Sequence, residues 1–459
     1  MSSSRPKCPV IGYVWCSSGV FDGGDGRKWG HYWLRGLLGL GWKGSRTDMP
    51  TTALDILMFV LIVGSVCCAV YWGAVAGAII KAQRGLPTAR DGIAIADRSP
   101  PEERVCVVVP AHNEAGNIAR LIGSLRAQDY DRLTVVLALD RCTDDTRGVA
   151  LEAIGGDHRF EIVEIDECPD DWAGKVHAAH SGVTRSKHAK NAEVLLFSDA
   201  DTWFDPACVR ATVALANDRG LDMLSLLSTL EGERWFERWV QPAAAFELAR
   251  QFPLMRVNTN GERQRPFANG QFMVFKREAY DAIGGHELVK GAVLEDIAFA
   301  QEIKYAGKRG GLLMADGMLR CGMYESWEEF VRGWKRIYTE SANREVGRLK
   351  RYGLRVPMLN AVLPDMAAAC LVLAVWLGNP STQIGGGIAG GAGLLAWFVA
   401  VGLMLRMSHA PLSQVFGFWV GSFFVGRIFR QAAKELESGT PTEWGGKSYV
   451  RPVADGGNG

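Results

Sequence analysis

Between Asp55 and Lys81 the chain runs twenty-five residues, Ile56 to Ile80, without a single charge. A helix of that length rises about 37 Å at 1.5 Å per residue, enough to cross a ~30 Å hydrocarbon core. Ala74-Val75-Ala76 resembles a signal-peptidase site, but the apolar run is long for a signal core and Lys81 follows it, so an anchor is the preferred reading. Met366 to Leu405 is a second uncharged stretch, forty residues long, broken at Gly378-Asn379-Pro380-Ser381-Thr382. It predicts a hairpin of two spans, with Gly386, Gly387, Gly390 and Gly391 allowing close backbone approach. Ala410 to Val425 is barely long enough to span and is equally compatible with a re-entrant or interfacial segment. Lys81, Arg84 and Arg406 flank the spans, and the hairpin turn is neutral. The positive-inside rule therefore puts residues 81–355 in the cytoplasm of a multi-pass protein of the cell (inner) membrane. The basic tail (Arg427, Arg430, Lys434, Lys447, Arg451) prefers the same side, which argues against a full third C-terminal crossing.

These segments divide 459 residues into an unpatterned stretch (1–50), an anchor (54–80), a central domain (104–345), a C-terminal membrane region (357–430) and a polar tail (431–459). Met49, just before the first span, would serve as an alternative start. With a net charge of +1 and no basic face interleaved with aromatics, nothing favours a nucleic-acid partner. The ten cysteines form no C-x-x-C pair or zinc-ligand spacing and read as small core residues in a reducing compartment.

The central domain alternates strand-like and helix-like runs. Val105–Val109, Leu133–Leu139, Phe160–Ile165 and Glu193–Phe197 are short apolar runs; Glu114–Ala127, Asp144–Ile154 and Gly174–Val183 have helical spacing. Such alternation predicts an α/β domain with a parallel sheet covered on both faces, whose ligands bind beyond the C-terminal strand ends. Polar clusters stand at those ends: Ala111-His-Asn113-Glu114, Asp140-Arg-Cys-Thr143-Asp144 and Asp199-Ala-Asp201. Asp199 and Asp201, two residues apart, point the same way if the strand continues, and paired hard oxygen donors suit Mg²⁺ or Mn²⁺ holding a diphosphate. Asn113 ahead of a helical run also reads as an N-cap.

Pro110-Ala-His-Asn-Glu114, Leu139-Asp140-Arg-Cys-Thr143-Asp144, Gly174-Lys175, Asp199-Ala-Asp201 and Glu295-Asp296, in this order over residues 104–340, resemble family 2 glycosyltransferases of GT-A fold. Trp172-Ala-Gly174-Lys175, Phe236-Glu-Arg-Trp and Trp444-Gly-Gly-Lys-Ser-Tyr449 are most similar to hopene-associated glycosyltransferases, then to ceramide glucosyltransferase-like enzymes. The resemblance implies a nucleotide-sugar donor, such as a UDP-sugar, lined by Pro110, Ala111, Glu114, Asp140, Lys175 and Asp199. It implies a metal on Asp201 with Asp199, and Asp296 as the base with Glu295 orienting the acceptor. Gly270 and Gln271 would close the acceptor half. Processive members carry an Arg-Trp pair after the base, where this chain reads Arg332-Gly-Trp334-Lys335-Arg336. Trp334, Lys335 and Arg336 would then meet the diphosphate or the membrane, and transfer of one sugar to a membrane lipid fits better than polymer synthesis. A polyprenyl-phosphate or polysaccharide transferase is the alternative enzyme, and a silent membrane binding module the alternative outside enzymes. Trp235 to Phe252, aromatics among arginines, reads as a helix either at the bilayer surface or buried.

Overall fold

The computed structural model describes residues 53–261, 264–377, 380–444 and 447–449. The unpatterned stretch 1–50 and the centre of the hairpin turn, residues 378–379, lie outside them.

The strand-like runs form strands: β1 Val105–Ala111, β2 Leu133–Asp140, β3 Phe160–Ile165, β4 Val194–Ser198, β5 Thr202–Phe204, β6 Met223–Leu227, β7 Thr229–Leu230, β8 Phe272–Lys276, β9 Gly310–Met314 and β10 Leu319–Cys321. Seven make one sheet in the order β3-β2-β1-β4-β8-β6-β9. The β3-β2-β1-β4 half is parallel, as the alternation predicts, whereas β8 runs antiparallel to both β4 and β6. The sheet is therefore mixed, and β5, β10 and β7 form a second, smaller one. β1 is apolar on both faces because helices cover both, and Val105 to Val109 are wholly buried. The Gly174–Arg185 helix lies so close to this sheet that a Cβ at Gly182 would sit 2.8 Å from a methyl of Val108.

Helices Ala53–Gly85, Val346–Trp376, Gln383–Met407 and Leu412–Glu437 are long and apolar enough to cross a membrane. The second is one rod from Val346 to Leu377, carried through Pro357 by a π-helical turn at Met358–Val362. That turn accommodates the proline, which cannot donate its own backbone bond. It packs with Ala53–Gly85 and Pro380–Met407, where a Cβ at Gly390 would meet Ala367 O at 2.7 Å and one at Gly393 would meet Ser65 O at 2.9 Å.

The Val415–Glu437 helix behaves differently. It is moored to the α/β domain, where a Cβ at Gly421 would overlap Trp239 O and Lys335 Nζ bonds Glu435 Oε1 at 2.5 Å, and to the Val346–Leu377 rod, where Arg430 donates to Gly353 O at 2.7 Å. Just before it, His409 Nε2 is 2.6 Å from Asp316 Oδ1, in the turn between β9 and β10. Just after it, strands β11 Thr442–Trp444 and β12 Lys447–Tyr449 pair antiparallel, and Lys447 bonds the loop that follows β3. Both flanks of this helix thus return to the same domain.

The expected Trp235–Phe252 helix is two, Trp235–Trp239 and Gln241–Gln251, and it combines both readings: Phe236 and Phe246 are buried, whereas Trp235 and Trp239 are about half exposed.

Candidate active site

At the C-terminal end of β1 the chain passes Asn113 in a left-handed conformation, φ 58°. Asn113 caps no helix, since that helix begins at Ile118. Its side-chain oxygen instead accepts from the amides of Thr143 (2.7 Å) and Asp144 (3.3 Å), tying the loop after β1 to the loop after β2. The Glu114 amide donates to Thr146 Oγ1 at 2.7 Å, completing the stitch. Burial pushes the Glu114 carboxyl above its ordinary range, and a bond from the Asn117 amide partly offsets this. Asp140 ends β2 almost fully buried, with both carboxylate oxygens held by the guanidinium of Arg141 at 2.9 and 2.6 Å. Arg141, the next residue in the chain, is thus the partner of Asp140.

β4 delivers Asp199 and Asp201 to the centre of this edge. The short helix-opening residue Lys175 reaches across to them: its ammonium is 2.7 Å from Asp199 Oδ1 and 2.6 Å from Glu295 Oε1. One largely buried cation therefore joins a carboxylate from the strand end to a carboxylate from the first turn of the Glu295–Tyr305 helix, 96 residues apart in sequence. Next to Glu295, Asp296 Oδ2 accepts from the Gly270 amide at 2.9 Å and Oδ1 from the Ile297 amide at 2.7 Å. Burial, then the charge of Glu295, pushes the Asp296 carboxyl up to about 6. Gly270 is the hub. A Cβ there would stand 3.0 Å from Lys175 Nζ, 3.2 Å from Glu295 Oε1 and 3.3 Å from Asp296 Oδ2.

Asp201 lies beside this group. Its Oδ1 is buried and has no hydrogen-bond partner among the described residues. Burial, then the neighbouring Asp199 and Glu114 carboxylates, raises its pKa to about 8. A carboxylate oxygen that is buried, unpartnered and surrounded by negative charge is poised for a cation. Among the described residues no three or more His, Cys, Asp or Glu side chains form a closed cage. The residues present fit an ion held by Asp201 and completed by phosphate oxygens and water, the ligand set Mg²⁺ commonly takes. Asp199, expected to share the metal, has Lys175 on its Oδ1.

Three further sequence expectations resolve as follows. Gln271 turns inward, accepting from Ser228 Oγ at 2.7 Å and donating to Cys321 Sγ at 3.1 Å, and so braces the strand ends. Lys335 points to Glu435 of the membrane region and not to the site. Trp334 is buried in the aromatic cluster with Phe330 and Tyr338, while the Arg336 guanidinium acts electrostatically on Asp199. Sequence reasoning missed Cys321 and Tyr324, both buried and both under the field of Asp201. Their short strand and the turn after it carry no chemical motif that would have pointed to them.

Residues 106–284 match the model of glycosyl transferase family 2. Among curated proteins none matches. Solved structures of similar fold include the mannosyltransferase PcManGT from Pyrobaculum calidifontis in complex with GDP-Man and Mn²⁺, at 19% identity and TM-score 0.41, covering 81% of this chain and 99% of that one. Another is S. aureus TarS 1-349 in complex with UDP-GlcNAc, at 13% identity and TM-score 0.36, covering 77% and 97%. A third is glucosyl-3-phosphoglycerate synthase from Mycobacterium tuberculosis with Mn²⁺, UDP and glucosyl-3-phosphoglycerate, at 16% identity and TM-score 0.35, covering 56% and 84%. The part of the chain that matches glycosyl transferase family 2, residues 106–284, thus takes in β1 to β8 and the Lys175, Asp199 and Asp201 side of the site.

Proposed function

We propose that the chain moves one sugar from a nucleotide-diphosphate donor, a UDP-sugar in the first instance, to a lipid acceptor of hopanoid or ceramide type at the membrane surface, with inversion. The observation that carries this reading is the convergence of Lys175, Glu295 and Asp296 around Gly270, with Asp199 on the Lys175 ammonium and Asp201 beside Asp199, at one sheet edge of a domain moored to apolar helices. Pro110, Ala111 and Glu114 line the nucleoside side, and Lys175 offers its ammonium to the diphosphate. Asp201 would hold a Mg²⁺ or Mn²⁺ ion, which supplies positive charge to the leaving diphosphate. Asp296 is the base: its carboxylate takes the acceptor hydroxyl proton as that oxygen bonds the anomeric carbon. The bond to the diphosphate breaks with its electron pair in the same displacement, which inverts the centre. Glu295, tied to Lys175, fixes the helix turn that aims Asp296.

A lipid acceptor is supported by the half-exposed Trp235 and Trp239, which sit against the Val415–Glu437 helix with exposed Phe416 and Phe423. Amphipathic rings of this kind favour the headgroup layer. With both flanks of that helix on the α/β domain, three helices cross and the fourth lies along the cytoplasmic interface, in keeping with its arginines and lysine.

Calorimetric titration of UDP into detergent-purified protein, with and without Mn²⁺, tests the donor site. Binding that requires Mn²⁺ and falls at least about tenfold in Asp201→Asn is expected; metal-independent binding indifferent to that change would remove the role of Asp201.

A further inference from the structure

The Gly174–Arg185 helix opens without a cap of its own. Its N-cap residue is Ala173, which has no side-chain acceptor, so the first amides depend on outside partners. One comes from the far end of the chain. The Tyr449 hydroxyl accepts from the Gly174 amide at 3.3 Å across 275 residues, immediately before Lys175. Two residues earlier, the Lys447 ammonium donates to Pro169 O at 2.5 Å and to Trp172 O at 3.0 Å. These carbonyls belong to the loop 166–173, which joins β3 to the Lys175 helix and contains four acidic residues, Asp166, Glu167, Asp170 and Asp171. On its other flank the loop is pinned by Lys290, whose carbonyl accepts from the Ala173 amide at 2.7 Å and whose ammonium meets Asp171 at 2.6 Å. The Tyr449 ring and Trp172 both pack against the core under this helix. The end of the chain therefore reaches the diphosphate side of the donor edge, through Gly174 next to Lys175.

We propose that Lys447 and Tyr449 are positioning residues for donor binding: the C-terminal β-hairpin straps the 166–173 loop and caps the following helix so that Lys175 is presented to the diphosphate. The inference rests on the donor reading above. A loop this acidic, beside a site for an anionic ligand, would swing away from it without a cation to hold its carbonyls. Lys447 does that from behind and leaves the ammonium of Lys175 for the site.

The test uses the detergent-purified full chain and UDP with Mn²⁺ as the probe. Tyr449→Phe, which keeps the packed ring and removes only the hydroxyl, and Lys447→Met should each weaken UDP binding about 2- to 10-fold. Lys447→Arg should restore it, and the unfolding midpoint of Tyr449→Phe should match that of the parent. In a Lys175→Met background the same two changes should have no further effect, because their influence passes through Lys175. Amide hydrogen exchange of the 166–176 peptide should quicken in Tyr449→Phe. Unchanged UDP affinity in Tyr449→Phe and Lys447→Met, or losses that simply add to that of Lys175→Met, would overturn the proposal. If the parent chain bound no UDP while exchange still quickened, the strap would be real, but the donor reading would fail and the positioning role with it.

Discussion

The ammonium of Lys175 stands 2.6 Å from Oε1 of Glu295, a carboxylate only 3% exposed, and 2.7 Å from Oδ1 of Asp199. Removing one member of a buried pair leaves the other charged and unsolvated. Lys175→Met is therefore expected to cost about 3 kcal/mol of stability. Adding Glu295→Gln should recover much of it. Chemical unfolding in detergent of the single and double variants reads both values; equal losses would show that the two groups are not coupled.

Acid should silence the enzyme earlier than an ordinary aspartate would. A base works only when ionised, and burial beside Glu295 pushes Asp296 up to about 6. The rate at saturating donor is expected to fall as pH drops through about 6, whereas a carboxyl near the usual value of ~3.9 would hold its activity to about pH 4. A pH–rate profile with its acid limb near 4 would assign the base elsewhere.

Gly270→Ala probes how tightly the site is closed. A methyl would lie 3.0 to 3.3 Å from Lys175, Glu295 and Asp296, tighter than most such contacts allow. The expected outcome is a fall in turnover of about tenfold or more with the fold retained, because a displacement near 1 Å at a reacting group is costly. Circular dichroism alongside turnover separates the two effects, and undiminished turnover would show that this glycine is not a contact surface for the reacting groups.

Topology has a direct readout. A cysteine placed at Ser381 in the hairpin turn should react with an impermeant maleimide in intact cells, and one at Asp97 only after lysis. The reverse pattern would turn the protein over in the membrane.

The parallel half of the sheet was legible because β1, β2 and β4 are continuous β-branched and apolar runs, and the polar clusters at their ends announced the site. Antiparallel β8 was not, since its run Phe272–Lys276 carries no mark of direction. Asn113 was misread as a cap because an asparagine ahead of a helix looks the same whether it bonds its own helix or the neighbouring loop. Pairings such as Lys175 with Glu295, Gln271 with Cys321 and Lys447 with Pro169 join residues 50 to 278 apart, and local pattern says nothing about contacts at that range. The fourth apolar helix was short by charge-free length alone; its full extent includes Arg427, Arg430 and Lys434, exposed charges of which Arg430 also bonds Gly353 O of the neighbouring rod.

Because the Val415–Glu437 helix is fastened to the α/β domain before it, along it and after it, its distance from the sheet edge is set by the fold and not by a swinging linker. An enzyme mounted in this way works at one fixed height. On the lipid acceptor proposed above, substrates would be sorted by stature, according to how far the reacting hydroxyl stands above the headgroups, before any side chain in the site has read their chemistry.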